Sequence, residues 1–122
     1  MSTVMDLLLD MEPTKTETKK MKVKRLSQLC KEDVTVTLAG LTYEKVLQIK
    51  QEPQDLGVAI LLEGVTEPDL RNRALMEKYK AATPDELVKK LFLPGEIEDI
   101  AREIEKLSGY RKEVLEEFQK NC

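Results

Sequence analysis

The stretch TPDELVKKLFLPGEIEDIAREIEKLSGY, Thr83 to Tyr110, decides the fold class of this chain. It opens with a helix start: Thr83 as N-cap, Pro84 at the first helical position and Glu86 placed to close a capping box. Leu87, Val88, Leu91 and Phe92 follow as one apolar face. Pro94-Gly95-Glu96 then ends one helix and begins the next. In that second helix Ile97, Ile100, Ala101, Ile104 and Leu107 recur at i, i+3, i+4, i+7 and i+10, the spacing of a single buried stripe. Glu98, Asp99, Arg102, Glu105 and Lys106 fall on the other side, and Gly109 is a suitable C-terminal stop.

Working outward, Tyr110 to Lys120 predicts a last helix with Val114, Leu115 and Phe118 apolar. Upstream, Pro68 to Tyr79 predicts another, with Leu70, Ala74, Leu75 and Met76 inward. Leu56 to Val65 is the most apolar run. Its length suits a buried helix ended by Gly64, although Val and Ile also suit a buried strand. Thr42 caps a helix that carries Glu44 in its first turn and stops at Pro53. Met21 with Val23, and Val34 to Leu38, alternate like short strands, with room for one helical turn over Ser27 to Asp33. Glu12 to Lys20 reads as a polar linker, and Met1 to Asp10 as a short helix too small to stand alone in water. The expected fold is α+β and mostly helical: a two-stranded antiparallel element near the N-terminus, then four or five short helices. Residues 1–20 are expected to be a flexible or partner-dependent segment, and residues 21–122 one domain.

Composition narrows the chemistry. The chain has 122 residues, 41% apolar and 35% charged, with net charge −3, which fits one modest aliphatic core and solvated helix faces. It contains no His, which removes His-based acid–base catalysis and His metal ligands. No phosphate-binding, nucleophile-elbow or CxxC motif occurs, and the acids at Glu63, Glu67 and Asp69 lack EF-hand spacing. Carboxylates at Glu96, Glu98, Asp99 and Glu103 read as helix-dipole complement and solvated surface. No catalytic, cofactor or metal residue is expected, and no small-molecule substrate. Cys30 and Cys122 read as free thiols of a reducing compartment, Cys30 half-buried. The apolar opening is broken by Asp6 and Asp10 and lacks a basic flank, unlike a secretory leader, and no run reaches the ~20 residues of a membrane span.

What remains is surface. Leu7, Leu8 and Leu9 at the front, and Tyr110, Val114, Leu115 and Phe118 at the back, are the candidate partner-binding residues, each set able to dock inward or on a partner. From Lys15 to Arg25 the bases Lys15, Lys19, Lys20, Lys22, Lys24 and Arg25 meet one acid, Glu17. Such a cluster can neutralise phosphates, so a small nucleic-acid-associated regulator is the alternative reading, although aromatics for base stacking are missing.

The run LLEGVTEPDLRN, Leu61 to Asn72, followed by YKAATPDELVKKLFLPGEIEDIAREIEKLSGY, Tyr79 to Tyr110, resembles the tail assembly chaperones of long-tailed phages and prophages of Gram-positive bacteria, PBSX-like elements among them. Pro68-Asp69, Thr83-Pro84, Leu93 to Glu96 and Leu107 to Tyr110 carry the likeness, which spans about two thirds of the chain and leaves out Met1 to Lys20. The resemblance implies binding to the tape measure protein and recruitment of tail tube protein during tail morphogenesis. It also implies action in the bacterial host cytoplasm and absence from the mature virion. Such proteins often have a longer frameshifted form, and self-association is allowed for. In this family frame Pro68, Thr83, Pro84, Glu86, Pro94, Gly95, Glu96, Ile97, Ile100, Ile104 and Gly109 are scaffold positions.

Overall fold

The computed structural model describes residues 3–13, 15–52, 54–110 and 113–118. Along them run α1 (Val4–Asp10), β1 (Thr18–Lys22), α2 (Lys24–Cys30), β2 (Thr35–Ala39), α3 (Tyr43–Gln51), α4 (Leu56–Gly64), β3 (Val65–Glu67), α5 (Arg73–Lys78), α6 (Pro84–Leu91) and α7 (Pro94–Leu107). The fold is α+β and mostly helical, with seven helices and three antiparallel strands among the described residues.

The sheet is larger by one strand than the alternation of residues predicts. Its order is β1-β2-β3, with β2 central. β3 is three residues long and pairs with β2 across an irregularity between Thr37 and Leu38, so no local alternation announces it. β1 starts at Thr18, inside the stretch read as linker, and Val23 is the N-cap residue of α2 instead of a strand position. Lysine-rich TKKMK looks like linker because β1 is an edge strand, where exposed lysines discourage further pairing. α2 is likewise longer than the single turn expected and begins before Ser27. Ser27 is buried. Its hydroxyl accepts from Val34 N at 2.8 Å and donates to Val34 O, fastening the turn into β2.

One face of β2 supplies Val36 and Leu38, both fully buried, to a core completed by α4, α6 and α7. α4 is its hub. Asp55 caps it by accepting from Val58 N at 3.1 Å, and Val58, Ala59, Leu61, Leu62 and Gly64 are all buried. A helix apolar on nearly every side must lie inside, which resolves the helix-or-strand ambiguity of this run. Gly64 does not stop α4 by a left-handed turn. It is helical, and a Cβ there would meet the side chain of Ile104 at 2.5 Å, so the glycine lets α4 and α7 approach closely.

The capped stretch behaves as its sequence predicts, with one exception. Thr83 Oγ1 accepts from Glu86 N at 3.2 Å, and Leu87, Val88 and Phe92 are buried. Glu86 does not close the expected capping box on Thr83; its carboxylate accepts from Ala82 N at 2.8 Å, one residue before the cap, because Thr83 stands in extended backbone with Ala82 N nearer the first turn. Ile100, Ala101 and Ile104 are buried along α7, and Gly109 follows the helix with φ +97. Upstream, α5 begins at Arg73 with Asn72 as N-cap, instead of at Pro68, and Ala74 is exposed. Leu70 is buried as predicted, but from the turn that precedes α5. Pro53 lies outside the described residues.

Candidate functional site

α1 is closed at its start by a reciprocal cap. Thr3 Oγ1 accepts from Asp6 N at 3.1 Å, and Thr3 N donates to Asp6 Oδ2 at 3.2 Å. No residue of α1 is buried, and Leu7, Leu8 and Leu9 keep 59%, 59% and 74% of their surface exposed. A seven-residue helix has little stability by itself in water. At the other end, residues 113–118 form no helix, contrary to the helix predicted from Tyr110 onward. Periodicity there has no tertiary partner to fix it. Val114, Leu115 and Phe118 are exposed by 65%, 87% and 89%, and Tyr110 by about half.

The start of β1 and the end of α7 lie at one pole of the domain. Thr18, where β1 begins, pairs with Ala39, and Gly40 N donates to Glu17 O at 3.0 Å. Gly40 lies against the end of α7, where a Cβ would stand 2.5 Å from Leu107 O. Leu41 N donates to Ser108 Oγ at 2.7 Å. The N-terminal segment therefore enters where the C-terminal segment leaves. Between α3, α4 and the end of α7 at this pole opens a groove of about 220 Å³, lined by Leu41, Val46, Ile49, Leu56, Ile60 and Tyr110, with Lys50 and Glu105 beside them.

A second groove, of about 420 Å³, runs between the sheet and the first half of α7 over Met21, Val23, Val36, Leu38 and Ile100. Ion pairs flank it. Arg25 Nε donates to Glu96 Oε2 at 3.1 Å, and its Nη2 donates to Glu96 Oε1 and Leu91 O, both at 2.9 Å. Glu96 Oε1 also accepts from Leu93 N at 2.7 Å. One guanidinium thus ties α2 to the end of α6 and the start of α7. The hydrogen bond from Arg25 holds the Glu96 carboxyl below its ordinary range. Glu103 is lowered in the same way, first by Lys19 and then by Lys106. Glu96 and Glu103 are therefore structural partners and not merely solvated acids.

These pairs bear on the basic cluster. Lys19 is bonded to Glu103 at 3.0 Å, Lys22 to Asp33 at 3.1 Å and Arg25 to Glu96, so half of the six bases are neutralised within the chain. Cys30 is exposed, not half-buried, because α2 turns its last residue outward. Cys122 lies outside the described residues. Among the described residues no group of three His, Cys, Asp or Glu is placed to hold a metal ion, and no helix is long and apolar enough to cross a membrane.

Residues 5–120 match the model of a family described as phage XkdN-like tail assembly chaperone protein, TAC. This chain belongs to that family. The resemblance carried by Leu61 to Asn72 and Tyr79 to Tyr110 is thereby extended over nearly the whole length. The same fold is met in the crystal structure of YqbN of B. subtilis, with a TM-score of 0.67 at 20% identity, covering 88% of this chain and 99% of that one. At that identity the likeness speaks for the fold. No curated protein matches the sequence.

Proposed function

We propose that this tail assembly chaperone binds the tape measure protein, keeps it soluble and helps recruit tail tube subunits around it. It does so without catalysis, in the host cytoplasm, and is left out of the mature virion. The observation that carries the reading is the exposed leucines of α1, together with the exposed Val114, Leu115 and Phe118 near the other end of the chain, on a domain whose own core is already closed. An exposed apolar face of this kind marks a protein-binding site. Several weak contacts repeated along one long client add up by avidity. Residues 1–17 then act as a partner-dependent arm, and the chain from β1 onward as the scaffold that presents it.

Coexpression with the tape measure protein encoded beside this chain, followed by pull-down, tests the proposal. The expected result is a soluble complex that Leu7→Ser/Leu8→Ser and Leu115→Ser/Phe118→Ser together abolish. Point changes are preferred to removal of residues 1–20, which would cut into β1. A tape measure equally aggregated with and without the chain would sink the proposal. The nucleic-acid reading loses weight because Lys19, Lys22 and Arg25 are already paired.

A further inference from the structure

β1 pairs with β2 on one side only, and among the described residues no strand lies on its other side. Val23 N donates to Val34 O at 2.9 Å and Gly40 N donates to Glu17 O at 3.0 Å, so residues 17, 19, 21 and 23 turn their backbone groups toward β2. The N–H and C=O groups of Thr18, Lys20 and Lys22 therefore point outward from the sheet. We infer that this edge is a docking site for an extended acidic segment of another protein, which adds a fourth strand beside β1 and sets alternate apolar side chains into the groove between the sheet and α7.

The groove and the edge belong together. The groove of about 420 Å³ is lined by Met21, Val36, Leu38 and Ile100, and among the described residues by no side chain of α4, α6 or β3, so it opens on the β1 side of the sheet. Alternation gives Lys19, Met21 and Val23 one face of β1, where Lys19 meets Glu103 of α7 and Val23 is buried. Thr18, Lys20 and Lys22 take the other face. A side chain of the incoming strand opposite Met21 or Val23 falls on the groove side, and one opposite Lys20 or Lys22 falls on the lysine side. The complementary segment therefore alternates apolar residues with Asp or Glu. Charge selects this occupant. Lys20 and Lys24 have no ion pair among the described residues, while Lys22 shares Asp33 at the exposed surface. A second copy pairing β1 against β1, centred on Lys20, would set Lys20 opposite Lys20, and like charges directly opposite are destabilising. The lysines that discourage indiscriminate pairing thus admit an acidic strand. In strand addition of this kind the backbone hydrogen bonds supply affinity, and the pockets for alternate side chains supply selectivity.

The site lies apart from the exposed leucines of α1 and does not rest on the tape-measure reading. The probe is an octapeptide of alternating Glu and Val, compared with one of alternating Lys and Val, each added to the full chain while amide exchange is followed by NMR. Before addition, the Lys20 and Lys22 amides should exchange several-fold faster than those of Met21 and Val23, which face β2. The Glu peptide should slow Lys20 and Lys22 several-fold and shift the methyl signals of Met21 and Ile100, leaving the Met21 and Val23 amides as they were. Lys20→Pro removes an outward N–H together with the charge and keeps the ladder to β2, since an edge strand tolerates proline where its nitrogen faces outward. It should weaken binding of the Glu peptide about tenfold, and Lys20→Gln, which keeps the N–H, by less. The exchange pattern of the wild type decides the matter even where Lys20→Pro does not fold. No slowing of Lys20 and Lys22 with the Glu peptide, or equal slowing with the Lys peptide, would overturn the inference. Slowing that grows with protein concentration in the absence of peptide would also overturn it, since the occupant would then be a second copy.

Discussion

α4 and α1 are aliphatic runs of similar density with opposite fates. α4 buries Val58, Ala59, Leu61 and Leu62, whereas α1 leaves Val4, Met5, Leu7, Leu8 and Leu9 in water. Local grammar does not separate them, since both are capped, α4 by Asp55 and α1 by Thr3 with Asp6. Position in the chain does. α4 runs directly into β3, which pairs with the central strand, and α6 and α7 return across it. α1 hangs on a polar stretch before an edge strand. An apolar helix held on both sides becomes core, and one held on a single side stays available to a partner.

The largest effect is expected at Ile104, fully buried where α4 meets α7. Ile104→Ala should cost about 2–5 kcal/mol, read from the urea midpoint of unfolding. Gly64→Ala should cost about 1–3 kcal/mol, because the new methyl overlaps Ile104 and outweighs the gain in helix propensity. A stability gain there would mean that the two helices are not in close contact. The strap between α2 and α7 gives a pH signature. The folded-state pKa of Glu96 lies below its ordinary value of 4.5, so the stability from this pair is fully present above that pH and is lost as pH falls through the lower folded value. Glu96→Gln should flatten that acid limb in denaturant titrations repeated from neutral pH downward. An unchanged limb would assign acid lability elsewhere, Glu103 being the next candidate. The smallest effect belongs to α1: Leu7→Ser/Leu8→Ser should change the unfolding free energy, read from the melting curve, by no more than about 0.5 kcal/mol.

Much of the fold is legible because its signals are local. Thr83, Pro84, Pro94 and Gly109 mark boundaries that the structure keeps, and the Ile100/Ile104 stripe faces inward as its spacing requires. What the sequence hides is non-local. β3 exists through pairing with β2, Gly64 matters through its contact with Ile104 of α7, and Arg25 finds Glu96 across 71 positions. The candidate surface is legible in part. The leucines of α1 and the apolar trio near the C-terminus stand out by type, but the groove at the pole does not, since Leu41, Ile49 and Ile60 read as ordinary core positions. The predicted last helix shows the limit of periodicity, because a repeat of apolar residues orders a helix only where something receives it.

The most direct test pairs two readings on one protein, the variant Leu7→Ser/Leu8→Ser/Leu115→Ser/Phe118→Ser. Its melting temperature and its affinity for the tape measure protein are measured beside those of the wild type. The account predicts a melting temperature close to that of the wild type and binding weaker by at least about tenfold. Full affinity in a protein that melts normally would contradict it, because the client would then be held by the scaffold and not by the chain ends.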